Sequence, residues 1–176
     1  MKRTTIAMVF CLAVMAAVLA ACGAATPTPA QYSDAFAYCA AVGTIDTPDA
    51  RYTGQKVPDA VANGLRKALQ IPADTPDPTF SQRTFWRCMG GKVYACNVGA
   101  NIPCTTKADT SRTPTQAVTD FCKANASADV VPAAVTGRAT VYQWRCTNGE
   151  PAVVKQLITP DAQGFLASFW HEINPQ

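Results

Sequence analysis

The chain has 176 residues, 48% of them hydrophobic and 15% charged, with a formal net charge of +3. The small charge and the absence of any run of like charges exclude a polybasic nucleic-acid-binding surface. A single histidine, His171, and no Cys-x-x-Cys pair among the eight cysteines exclude the usual zinc sites.

Residues 1-21 divide as an export signal does: a basic start (Lys2, Arg3), an apolar stretch from Ile6 to Leu19, then small residues. The stretch is shorter than the roughly 20 apolar residues of a stable membrane span. The run Leu19-Ala20-Ala21-Cys22 resembles the lipobox of bacterial lipoprotein precursors, and the resemblance covers residues 1-22 alone. It implies cleavage before Cys22, lipidation of the Cys22 sulfur and an extracytoplasmic anchor in the lipid bilayer of the cell envelope. Several acyl chains, at about 0.8 kcal/mol per buried methylene, make such an anchor stable where one chain is marginal. Cleavage also removes Lys2 and Arg3, leaving 13 basic against 12 acidic side chains and a formal charge of +1.

Residues 22-31, with Thr26-Pro27-Thr28-Pro29, read as a lipidated cysteine followed by a semi-extended tether, because proline restricts the backbone and Thr and Ala bury little. Discarding Cys11 and assigning Cys22 to lipid leaves Cys39, Cys88, Cys96, Cys104, Cys122 and Cys146. An even set in an exported chain points to disulfides.

An internal repeat narrows their pairing. Tyr38-Cys39 followed by Thr53-Gly54 matches Phe121-Cys122 followed by Thr136-Gly137 at the same interval, and Trp86-Arg87-Cys88-Met89-Gly90-Gly91 matches Trp144-Arg145-Cys146-Thr147-Asn148-Gly149. The first copy, residues 32-110, carries a helical insertion between its two motifs; the second copy is residues 111-176. Joining the first motif to the second within each copy pairs Cys39 with Cys88 and Cys122 with Cys146, leaving Cys96 with Cys104. Loop-closure entropy gives these bonds about 4, 3.5 and 2.6 kcal/mol respectively.

In chain order, Thr28-Pro29-Ala30-Gln31 offers a helix start with Tyr32, Phe36 and Cys39 as an inward stripe. Val57 to Leu69 has Val61, Leu65 and Leu69 at four-residue steps, weakened by Gly64 and ended by the proline-rich stretch from Ile71 to Thr79. Gly90-Gly91 and Asn148-Gly149 tolerate positive φ and predict two-residue hairpin turns. The first turn sets Cys88 opposite Val93, Trp86 opposite Ala95 and Cys96 opposite Phe85, so Cys88 and Cys96 face opposite ways. Thr113-Pro114-Thr115-Gln116 has a capping-box pattern with Thr113 as N-cap, opening a helix with Val118, Phe121 and Cys122 on one face. Val153 to Ile158 reads as a strand, and Phe165, Leu166, Phe169, Trp170 and Ile173 as an amphipathic helix, with alternation leaving a strand open. The expected fold class is α+β: a small disulfide-braced domain with an internal duplication, each copy a helix ending near a cysteine followed by an antiparallel hairpin.

Chemistry-bearing motifs are few. His171 is the sole imidazole, no Gly-x-Ser-x-Gly turn supports a serine nucleophile, and Asp46, Asp49, Asp74 and Asp77 lie in proline-rich loops where Asp caps turns. No catalytic residue, metal ligand or cofactor is expected. Two aromatic-plus-cation groups, Trp86, Arg87 and Tyr94, and Tyr142, Trp144 and Arg145, suit stacking on a sugar or gripping a carboxylate. They point to a non-catalytic binding or interaction module for a glycan, peptidoglycan or protein. An envelope-polymer hydrolase and a structural or inhibitor-like envelope protein are the alternatives.

Overall fold

The computed structural model describes residues 30–72, 74–100 and 102–175. The expected signal, the lipobox with Cys22 and the Thr-Pro tether up to Pro29 lie outside the described residues. Among the described residues the fold is α+β: four helices, two small antiparallel sheets and three disulfides. In chain order come helices α1 (Ala35–Val42) and α2 (Asp59–Ala68), hairpin β1 (Thr84–Met89) and β2 (Lys92–Asn97), helices α3 (Gln116–Ala124) and α4 (Ala133–Thr136), hairpin β3 (Tyr142–Thr147) and β4 (Glu150–Gln156), and strand β5 (His171–Ile173).

The disulfides are Cys39–Cys88, Cys96–Cys104 and Cys122–Cys146. The first and third each tie a helix to the leading strand of the following hairpin, with Cα atoms 5.1 and 5.2 Å apart. Both hairpins turn through two residues of positive φ, Gly90-Gly91 and Asn148-Gly149, as the right-handed twist of paired strands requires. The first register sets Phe85 opposite Cys96, Trp86 opposite Ala95 and Cys88 opposite Val93. Strand alternation then sends Trp86 and Cys88 to one face of the sheet and Phe85 and Arg87 to the other.

Helices α1, α2 and α3 each start later than the sequence suggests. Asp34 caps α1 by accepting from the Ala37 N–H at 2.8 Å, while Tyr32 forms a parallel bridge with Tyr52 outside the helix. The inward face is Ala35, Tyr38 and Cys39, and Phe36 is half-buried. Thr115, not Thr113, caps α3: its Oγ1 accepts from Val118 N–H at 3.3 Å. Gln116 bonds forward to Asp120 instead of closing a capping box. Helix α2 stops at Ala68, with Leu69 exposed beyond it.

The C-terminal segment departs furthest from expectation. In place of the expected amphipathic helix it holds a short 3-10 turn (Ala167–Phe169) and then β5, which pairs with β2. The sheets are therefore separate, ordered β1-β2-β5 and β3-β4. The pull is apolar: Ile173 enters the first core against α2, beside Val61, Leu65 and Val93, and Lys92 pairs with Glu172 at 2.9 Å on the surface. Gly64 is what admits it, because a Cβ there would lie 2.4 Å from Ile173 Cγ2. Strand β4 spans Glu150–Gln156, earlier than expected, with a register shift at Gln143/Trp144.

Three clusters form the interior. Helices α1 and α2 cover the Trp86 face of the first sheet. Val118, Cys122, Val131, Val141, Trp144 and Leu166 fill the second half. Cys96, Cys104, Phe165 and Trp170 pack on the opposite face of the first sheet. Gly64→Ala removes the seat of Ile173 and is expected to destabilise the fold by about 1–3 kcal/mol, as overpacking does. Thermal melting checks this; an unchanged or raised Tm contradicts the β5–α2 contact as the reason for glycine.

Candidate functional site

A cleft of about 450 Å³ with a largely aromatic wall runs along the outer edge of β1. One wall is the strand itself, through Thr84, Phe85 and Trp86. The loop carrying Asp46, Asp49, Tyr52 and Lys56 faces it, and Cys104, Phe165 and Trp170 close the end. Its origin is local. Ile45 pairs with Cys88 in an antiparallel bridge, exchanging two hydrogen bonds of 3.0 Å, and the chain then bends away at Asp46 and Thr47 before Pro48. Proline cannot donate to a ladder and restricts the residue before it, so the pairing does not resume.

The two carboxylates on the rim are engaged from within. Asp49 takes a bidentate grip from Arg51, with Nη2 to Oδ2 at 2.6 Å and Nε to Oδ1 at 3.0 Å. The Arg51 side-chain and backbone donors hold the Asp49 carboxyl down to about 2. Asp46 accepts from Lys107 at 2.5 Å and from Gln163 Nε2 at 2.7 Å. A carboxyl kept ionised so far below neutrality makes a poor general acid. His171 is not among the lining residues; it lies on β5 opposite Ala95.

Most of the aromatic lining is already packed. Trp86 is buried, donates from Nε1 to the Lys56 carbonyl at 2.8 Å, and meets Tyr52 edge-on at 4.8 Å between ring centroids. Phe165 and Trp170 are also buried, whereas Phe85 is 37% exposed. The Tyr52 hydroxyl has no hydrogen-bond partner among the described residues, and burial, with Asp34 nearby, raises its pKa above the usual tyrosine value.

The two aromatic-plus-cation groups expected from the sequence do not form open surfaces. Trp86 and Trp144 turn inward with their neighbouring disulfides, as strand alternation dictates for residues two apart. Arg87, on the other face of β1, is fully buried. Its guanidinium lies 4.2 Å from the Trp170 ring centre and 4.5 Å from that of Phe165, donates to Gln163 Oε1 at 2.6 Å and forms an ion pair with Asp161. Tyr94 is half-buried and donates to Glu172 at 3.1 Å. Tyr142 is buried with Arg112 stacked on its ring, and Arg145 is exposed on the face away from Trp144. The Phe165 and Trp170 wall, the Asp46 anchor and exposed Phe85 carry no motif that marks them as site residues in the sequence. Only the bend-forming Asp46-Thr47-Pro48, directly after the apolar Ile45, marks the cleft locally.

Asp161 owes its state to opposing influences: burial raises its pKa, but the hydrogen bonds from Arg87 and from the Phe165 and Gln163 N–H groups outweigh it and leave a net lowering. Comparison with protein-family models, curated proteins and solved structures found no match.

Breaking the pair by Asp161→Ala strands the Arg87 charge in the interior and is expected to cost about 3–5 kcal/mol. A carboxylate with a lowered folded pKa contributes stability above its unfolded value of 3.8, and that contribution is lost as pH falls through the lower folded value. Denaturant unfolding of wild type and Asp161→Asn from pH 7 down to pH 2 checks both; equal pH slopes below about pH 4 for the two proteins would contradict the assignment.

Proposed function

We propose that this protein is a membrane-anchored extracytoplasmic lipoprotein whose folded part is a non-catalytic binding module. The lipobox residues Leu19-Ala20-Ala21-Cys22 support the address, and the three disulfides suit an oxidising compartment. The observation that carries the binding reading is the β1-edge cleft, whose volume falls in the range of about 300–1,000 Å³ usual for ligand sites. Its ligand belongs to the envelope: a glycan, peptidoglycan or a protein segment. Asp49, kept ionised by Arg51, supports binding over acid-catalysed hydrolysis.

The two halves descend, in this reading, from a duplicated helix-and-hairpin unit. Supporting it are the shared motifs, the two helix-to-strand disulfides with Cα atoms 5.1 and 5.2 Å apart, and the matching approach of Cys39 Sγ to the Arg87 carbonyl and of Cys122 Sγ to the Arg145 carbonyl, each at 3.9 Å.

Metabolic labelling with palmitate is expected to mark the wild-type protein and not Cys22→Ala; a labelled variant sinks the anchor. For the cleft, solubilised envelope fractions are expected to shift the emission of Trp86 and Trp170, and Thr105→Phe, which fills the mouth, to abolish the shift. A shift that survives Thr105→Phe, or none with any fraction, refutes the cleft as the binding site.

A further inference from the structure

The cleft follows a strand edge, and that edge is unsatisfied. The Ile45–Cys88 bridge fixes which main-chain groups of β1 point outward, since Cys88 N–H donates to the Ile45 carbonyl and Ile45 N–H donates back. Along an antiparallel strand that direction recurs every second residue, so Trp86 and Thr84 present their polar groups to the same side. Thr84 N–H is taken by the Ser81 carbonyl at the strand's start. The Trp86 N–H, the Trp86 carbonyl and the Thr84 carbonyl have no hydrogen-bond partner among the described residues, and both residues line the cleft. Backbone groups are obligatory hydrogen bonders, and an unpaired row of them is a template for another strand.

We infer that the cleft binds an extended peptide that adds to the outer edge of β1, continuing the pairing begun by Ile45. The inference rests on the proposed binding function and names its ligand class. One peptide residue opposite Trp86 exchanges two main-chain hydrogen bonds with it, and the residue two further along donates to the Thr84 carbonyl. This is strand addition, in which main-chain bonds supply affinity and alternate side chains supply specificity. Phe85 and the Tyr52–Val57 loop meet the side chains on either side of the edge.

Charge selects the kind of peptide. Asp46 and Asp49 are occupied by Lys107, Gln163 and Arg51, whereas Lys56, also lining the cleft, has no ion-pair partner among the described residues. A peptide with an acidic side chain or a free C-terminal carboxylate near Lys56 complements that cation. A saccharide fits less well. It needs an open ring face and free carboxylates for its hydroxyls, and here the Trp86 ring is packed against Tyr38 and Tyr52 while the carboxylates are engaged.

The test uses the full-length lipidated protein in zwitterionic detergent. The probe is a hexapeptide library with a free C-terminal carboxylate and Val, Thr, Tyr or Glu varied at each position, binding being read by tryptophan emission and by hydrogen exchange of the Trp86 amide. The tightest peptide is expected to slow Trp86 amide exchange. N-methylation at alternate residues of one parity should weaken it about tenfold per site, the worth of a main-chain bond, while methylation at the other parity changes it less than about twofold. Lys56→Glu is expected to weaken it about threefold to tenfold, with the loss removed when the peptide C-terminus is amidated. A parity-independent response to methylation overturns strand addition. Binding of chitotetraose or maltotetraose that Thr105→Phe blocks, with no peptide bound, overturns the peptide class but leaves the cleft as a binding site. Binding of neither probe class overturns the peptide, and if envelope fractions also fail, the binding function falls with it.

Discussion

The buried ion pair of Arg87 and Asp161 is the constraint around which the two halves arrange themselves. Arg87 comes from the middle of β1 and Asp161 from the segment after β4, so the pair spans 74 residues of chain. Two charges taken out of water are tolerated only with good geometry and further hydrogen bonds. Here Gln163 takes a second guanidinium nitrogen and two backbone N–H groups complete the Asp161 carboxylate. The flat guanidinium also lies over Trp170 and Phe165, which a lysine in its place could not match. Holding residues 161–170 against the first sheet sets the closed end of the cleft and delivers the chain into β5. Lys107 and Gln163 extend the same network to Asp46 at the rim.

This arrangement inverts the role that the Trp-Arg-Cys motifs suggest in the sequence. The tryptophans sit with the disulfides in two separate cores, and the first arginine, Arg87, joins the halves. The second, Arg145, is exposed, so the two motifs share their hairpin geometry but not their task. What remains open to a ligand is the strand's backbone edge, bordered by Phe85, where the Asp46–Pro48 bend has drawn the neighbouring chain aside.

The legible parts of the fold are those governed by short-range rules. A two-residue turn at Gly90-Gly91 sets the β1–β2 register, the register separates Cys88 from Cys96, and the repeated motifs then leave one economical pairing of the cysteines. Helices α1, α2 and α3 are legible as elements but not at their starts: the caps of α1 and α3 are Asp34, six residues beyond Thr28, and Thr115, two beyond Thr113. The rest has no local signature. A three-residue strand such as β5 is too short for alternation to declare itself, and its choice of β2 depends on a space at Gly64 more than a hundred residues earlier. The Asp161 partner of Arg87 likewise arises from packing between distant segments, which periodicity cannot report, and the gap beside Trp86 is marked only by the Asp46–Pro48 bend.

The position of β5 also bears on the order in which the molecule can complete itself. The first helix pair and hairpin emerge early, and their central disulfide can form before the second half exists. Yet their sheet lacks its third strand, and their core lacks Ile173, until residues 171–173 are available. The first half is therefore synthesised before the second and completed only after it. A chain that stops before His171 would keep the six disulfide-bonded cysteines and helices α1 to α4 and still leave the first half with an uncovered edge at β2.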